Sequence, residues 1–189
     1  MLMEVARLGI TGARRTKIQA RKLLMSTMLV ASVSVHAATL SGTVVGVSDG
    51  DTITVLDANR EQHKIRVAGI DAPEKAQPFG QRSKRSLSTL VFGKDVDVQW
   101  SKRDRYRRIV GKVLVTDPTC QRQCPKTLDA GLAQVTAGLA WWYRKYAKEQ
   151  SAEDAQRYEL AEQEARSHRA GLWSDGQPMP PWDWRKAAR

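Results

Sequence analysis

Three histidines and two cysteines are the only imidazole and thiol side chains in this 189-residue chain. His36, His63 and His168 lie in separate segments, which leaves no constellation for a histidine-based nuclease or a Ser/His hydrolase. His63 and His168 are expected on the exposed surface. Long apolar stretches are lacking too: the longest run, Leu23 to Val35, is about 13 residues, where a membrane-spanning helix needs ~20. No internal repeat is visible, which excludes a solenoid. With 41% hydrophobic residues the chain can bury a single core and form one domain or slightly more.

What is present in excess is positive charge, +11 overall. Part of it belongs to a leader. Arg7, Arg14, Arg15, Lys17, Arg21 and Lys22 precede the apolar run, which ends in Val35-His36-Ala37, a small-x-small cleavage site before Ala38. Residues 1–37 are therefore expected to be a secretory signal, with a signal anchor as the competitor and initiation at Met25 as a variant of the same reading. No cysteine lies beside the cleavage site, so a lipid anchor is not expected. Residues 1–37 carry six of the 31 basic and one of the 20 acidic residues, which leaves 25 against 19, or +6, beyond them. A basic surface attracts polyanions by counterion release. The expected product is a soluble, periplasmic or secreted monomer without stable membrane association.

Short charged clusters carry the chemistry. Asp49-Gly50-Asp51-Thr52 is followed by Arg66, by Asp71-Ala72-Pro73-Glu74 and by Asp104-Arg105-Tyr106-Arg107-Arg108. Asp51, Asp71 and Glu74 stand at the ends of apolar stretches that read as strands, so they could converge at one rim of a small sheet or barrel. Oxygen-only clusters suit Ca²⁺ or Mg²⁺ and argue against Zn²⁺. A cation there could polarise a phosphoryl oxygen, while Arg66 and Arg108 present planar forks to phosphate oxygens. Glu74 lies three residues past Asp71 across a proline turn and is the general-base candidate.

Val45 to Val55 (VGVSDGDTITV), Arg66 to Glu74 (RVAGIDAPE) and Asp104 to Gly111 (DRYRRIVG) together resemble the three signature segments of the staphylococcal nuclease family. The likeness extends to Leu132–Leu139 (LAQVTAGL) and Gly171–Ser174 (GLWS), about residues 40 to 175. The resemblance implies that Asp51, Asp71 and the carbonyl of Ala72 hold Ca²⁺, that Glu74 is the base, and that Arg66 and Arg108 contact the scissile phosphate. It also implies that Tyr106 hydrogen-bonds a nucleotide phosphate, and that DNA and RNA are cut between phosphorus and the 5′ oxygen to leave 3′-phosphate ends. Family members often carry threonine where this chain has Ala72, a change that a main-chain ligand tolerates. The glycine usual between the tyrosine and the arginine is Arg107 here, so the choice of Arg108 over Arg107 rests on spacing. Arg105, beside Tyr106 in a cluster with Lys102, Arg103, Arg107 and Arg108, is taken as a second substrate contact. Without the upstream carboxylates that cluster would read equally well as a solvated basic loop.

Alternation predicts strands over Thr39–Val47, Asp51–Leu56, Gln62–Ile70, Asp95–Trp100 and Arg108–Val115. Helices are expected at Gly80–Val91, Leu128–Leu139 and Ala152–His168. The pattern is α+β, mainly β, with about three helices. Its order suits a five-stranded OB-fold barrel, which the resemblance also implies. Cys120 and Cys124 flank three loop residues and are expected to pair in an oxidising compartment. Trp141, Trp142, Tyr143 and Tyr146 either fill the core or stack on bases, with one Trp expected inside and one Tyr against substrate. Pro178 to Arg189 is too proline-rich for a helix at its start and is expected to wrap against the domain. Two function classes remain: a secreted Ca²⁺-dependent nuclease, and a non-catalytic OB-fold module that binds nucleic acid. The complete set Asp51, Asp71, Glu74, Arg66 and Arg108 favours the enzyme.

Overall fold

Alternating apolar residues build a closed barrel in the computed structural model, which describes residues 38–187; the expected leader lies outside them. Strands β1 (Ala38–Val47), β2 (Thr52–Leu56) and β3 (Gln62–Val67) form an antiparallel meander. After the short strand β4 (Ile70–Asp71) and helix α1 (Gly80–Val91), β5 (Asp95–Arg103) pairs with β1 and β6 (Ile109–Thr116) pairs with β5. Parallel pairing of β3 with β6, Ile65 opposite Ile109 and Arg66 opposite Val110, closes the ring. Closure removes the exposed sheet edges that would otherwise template association. The order β3-β2-β1-β5-β6 is the five-stranded OB-fold barrel, and the chain is α+β.

One side chain of each alternating pair points inward: Val44, Ile53, Val55, Ile65, Val96, Val98, Val113 and Val115 are fully buried. Gly111 is needed where β6 crosses β5, since a Cβ there would lie 2.6 Å from Val98 and 2.9 Å from the Gln99 carbonyl. Helix α1 closes one end of the barrel with Leu87 and Val91, both fully buried.

Four sequence expectations shift. The third strand stops at Val67 rather than Ile70, because Gly69 takes a left-handed φ of 76° and turns the chain out of the barrel. Ile70 and Asp71 then pair with Trp142 and Trp141 in a separate two-stranded ribbon, so Trp141–Trp142 is strand β8. The second helix is shorter than Leu128–Leu139. Lys126–Asp129 is instead strand β7, which extends the sheet beside β6, and α2 runs Ala130–Thr136. Asp129 caps it by accepting from the Gly131 and Leu132 amides. The tail is helical from Pro181 to Ala187 (α4). Proline suits the first turn, where its missing N–H costs nothing and its φ is already set. Both Trp141 and Trp142 are buried, rather than one of them. The expected disulfide between Cys120 and Cys124 is present.

Helix α3 (Ala152–Ser167) holds the ribbon in place through Glu162, which is completely buried. Glu162 accepts from the Trp142 amide at 3.1 Å and from Arg144 and Arg166 at 2.7 and 3.3 Å. Both arginines reach water, whereas the Trp142 amide has no alternative partner. Glu162→Ala is expected to cost about 3 kcal/mol in urea denaturation, a loss set by the orphaned amide and the cavity. A change below about 1 kcal/mol would show that the ribbon is held by its aromatic packing alone.

Candidate active site

The register of β2, β3 and β6 brings the charged motifs to one rim. Thr52 pairs with Arg66, Arg66 pairs with Val110, and the Val67 amide donates to the Asp51 carbonyl at 2.8 Å. Asp51 thus immediately precedes β2, Arg66 sits near the end of β3, Asp71 ends β4 and Arg108 immediately precedes β6. All four line one open cavity of about 800 Å³, together with Ala72, Glu74, Arg105 and Tyr106. Every residue that the sequence singled out for binding or catalysis lies on this cavity.

Two carboxylates are deep in it, Asp51 at 6% and Asp71 at 1% exposure. Arg66 bridges them, Nη1 to Asp51 Oδ2 at 2.8 Å and Nη2 to Asp71 Oδ1 at 2.9 Å. The Ala72 amide donates to Asp51 Oδ2 at 2.8 Å, which fixes the turn carrying the Ala72 carbonyl. Burial pushes the Asp51 carboxyl up to about 7 in spite of the Arg66 charge, with Asp49 and Asp71 adding to the shift. A second cation would relieve that strain, and the donor set is hard oxygen. Asp51, Asp71 and the Ala72 carbonyl therefore suit a hard divalent ion.

Glu74 is held in a tight loop. Its amide donates to Gln77 Oε1 at 3.1 Å, and its carbonyl accepts from the Gln77 amide at 2.9 Å. Gly80 lies so close behind that a Cβ would meet the Glu74 carbonyl oxygen at 1.8 Å. The backbone of Glu74 is thereby fixed while its carboxylate stays accessible, at 39% side-chain exposure.

In the segment before β6, Arg108 Nε donates to Asp104 Oδ2 at 2.7 Å and its Nη1 reaches Thr52 Oγ1 at 3.4 Å. Tyr106 is 64% exposed and lies between two guanidiniums, with Arg105 and Arg108 at 4.7 and 5.5 Å from its ring centre. Arg107 does not line the cavity. Its φ is 64°, so the position where the chain departs from the family's usual glycine has a glycine-favouring conformation.

Sequence reading missed the contribution of the C-terminal tail. Trp182, Arg185 and Lys186 line the cavity, as do Tyr143, Tyr146 and Lys145. Trp182 stacks on Tyr143 with ring centres 5.4 Å apart and planes 4° from parallel. Arg185 donates through Nη2 to Asp71 Oδ2 at 2.7 Å and through Nη1 to Glu74 Oε1 at 2.8 Å. The signal available was a basic residue set among aromatics directly after a proline pair, Pro180-Pro181-Trp182-Asp183-Trp184-Arg185.

A different acidic group, Asp57, Glu61 and His63, has ligand atoms mutually within 4.8 Å and could hold an ion. None of the three lines the cavity. Asp57 is already used as a turn residue, accepting from the Asn59 and Glu61 amides at 2.9 Å and pairing with His63 at 2.9 Å.

The family model described as staphylococcal nuclease homologue matches residues 64–175. An uncharacterized endonuclease of Escherichia coli is 39% identical over 165 residues, covering 87% of this chain and 97% of that protein. A micrococcal nuclease of Shigella flexneri is 41% identical over 169 residues, covering 89% and 93%. An uncharacterized endonuclease of Haemophilus influenzae is 36% identical over 169 residues.

Proposed function

Because this chain belongs to the staphylococcal nuclease family, we propose that it is a secreted, Ca²⁺-dependent nuclease that hydrolyses DNA and RNA without sequence specificity and leaves 3′-phosphate ends. The observation that carries the reading is the convergence of Asp51, Asp71, Glu74, Arg66 and Arg108 on one open cavity at the rim of the barrel. A binding module has no use for two buried carboxylates beside two guanidiniums. The leader reading puts the mature start at Ala38, the first residue of β1, so cleavage there would leave the barrel whole.

Asp51, Asp71 and the Ala72 carbonyl would hold the Ca²⁺, which when bound offsets charge on the phosphoryl group. Arg66 has five donors and spends only part of them on the aspartates, so the remainder can reach a phosphate oxygen. Arg108 supplies a second guanidinium, already held by Asp104. Held between two guanidiniums, the phosphate keeps its nonbridging charge stabilised as the trigonal bipyramid forms. Glu74 accepts a proton from the attacking water, whose oxygen forms the new bond to phosphorus while the bond to the 5′ oxygen breaks. The leaving oxygen takes up a proton and departs as the 5′-hydroxyl. Tyr106, exposed between Arg105 and Arg108, is placed to bind a neighbouring phosphate.

Hydrolysis of single-stranded DNA by the purified protein tests this directly. Cleavage with Ca²⁺ that chelator abolishes is the expected result. Retained binding with no cleavage in either condition would assign the chain to the non-catalytic OB-fold class instead.

A further inference from the structure

The tail brings a cation of its own into the acidic site. Both oxygens of Asp71 are engaged: Oδ1 accepts from Arg66 Nη2 at 2.9 Å and Arg185 Nη1 at 3.2 Å, and Oδ2 accepts from Arg185 Nη2 at 2.7 Å. The same guanidinium reaches Glu74 at 2.8 Å. Arg185 is thus shared by the expected ion ligand and the expected base. Its position is fixed by more than charge. Pro181 is buried, Trp182 stacks on Tyr143 and meets Trp141 edge-on at 5.6 Å, and Gln77 Nε2 donates to the Met179 carbonyl at 2.6 Å. Gln77 also accepts from the Glu74 amide, so one side chain ties the tail to the loop that carries the base.

A calcium ion binds a carboxylate oxygen at roughly 2.3–2.6 Å and needs its lone pairs. Arg66 and Arg185 together occupy three of the four lone-pair sites of Asp71 and leave one, on Oδ2, which the bidentate guanidinium crowds. An ion added without displacement would also set two further positive charges against Asp51, Asp71 and Glu74, which Arg66 and Arg185 already largely neutralise. We propose that Arg185 sets the metal affinity of the site: it is an internal cation that a divalent ion displaces from Asp71 and Glu74, with release of α4 from the rim. This rests on the Ca²⁺ reading above. By linkage the effect is reciprocal, so docking of α4 weakens the ion and the ion weakens docking. The protein would then stay closed at low Ca²⁺ and open its cavity to a polynucleotide when Ca²⁺ rises.

Calorimetric titration of the purified protein with CaCl₂ tests the competition without a cleavage readout. Arg185→Gln is expected to bind Ca²⁺ about tenfold more tightly, on the order of 1.4 kcal/mol. Lys186→Gln is the control, because it removes the same charge from a residue that also lines the cavity but pairs with Asp183 at 2.9 Å instead of with Asp71 or Glu74; it should shift affinity by less than about threefold. Equal affinities for Arg185→Gln and wild type, weaker binding by the variant, or equal tightening by both variants would each overturn the proposal. Hydrogen exchange across residues 181–187 supplies a second reading. Exchange should rise in wild type when Ca²⁺ is added, and unchanged protection with the ion bound would rule out displacement. Failure of both wild type and Arg185→Gln to bind Ca²⁺ would be a distinct outcome, overturning the Ca²⁺ reading itself and this proposal with it.

Discussion

Glu74→Gln should slow the cleavage step by about 10² to 10⁴-fold with little change in stability. The substitution keeps the shape of the side chain and removes its capacity to accept a proton. The carboxylate accepts from Arg185 at 2.8 Å, a bond that the amide oxygen of glutamine can keep. The loop is held by backbone bonds between Glu74 and Gln77, by the Gln77 side chain and by the close approach of Gly80, none of which involves the Glu74 carboxyl. A loss of this size corresponds to about 3 to 5 kcal/mol of transition-state stabilisation, beyond what a lost surface ion pair would explain. Single-turnover cleavage of a labelled single strand at saturating Ca²⁺ is the measurement, because it separates chemistry from product release. Wild-type rates in the variant would remove Glu74 from the mechanism and leave water activation to another group.

Much of the site was legible because its residues sit on short strands whose register is local. Asp51 and Arg66 flank the β2–β3 hairpin, and once Thr52 faces Arg66 the two cannot be far apart. The barrel was legible from period-two burial in β1 to β3, β5 and β6. What escaped depends on long-range contacts with weak local signals. β7 is four residues long and reads as the start of a helix until its pairing with β6 is known. β8 is two residues long, and the aromatic pair that forms it suits a core or a strand equally well. Arg185 joins Asp71 across 114 residues of sequence, and no local pattern announces such a contact. Proline at the start of α4 suggests a helix breaker by composition, although at the first position it is a helix initiator. The acidic motifs thus announced themselves, and the residue that neutralises them did not.

Separate replacement of the two adjacent arginines should give opposite results. Arg108→Ala is expected to lower the cleavage rate by about 10² to 10³-fold, the scale on which loss of one preorganised donor to a developing charge is felt. Preorganisation is visible in the structure: Asp104 Oδ2 holds Nε at 2.7 Å, Asp104 Oδ1 accepts from the Arg108 amide at 3.0 Å, and Nη1 reaches toward Thr52, beside Asp51. The guanidinium is therefore aimed into the cavity before substrate arrives, and little entropy remains to be lost when phosphate binds. Arg107 has no such support. Its side chain lies off the cavity, its carbonyl accepts from Arg103 Nη1 at 3.0 Å, and its φ of 64° is strained for any residue with a Cβ. Arg107→Gly should therefore leave cleavage within about threefold of wild type, and relief of the left-handed strain should raise stability by up to about 1 kcal/mol. Rates and urea midpoints of the two variants, compared at one ionic strength because each removes a positive charge, separate the roles. A large loss with Arg107→Gly and a small one with Arg108→Ala would transfer the clamp to Arg107. That outcome would require the loop to reorganise around bound phosphate, since neither the backbone conformation nor the partners of Arg107 direct it there now.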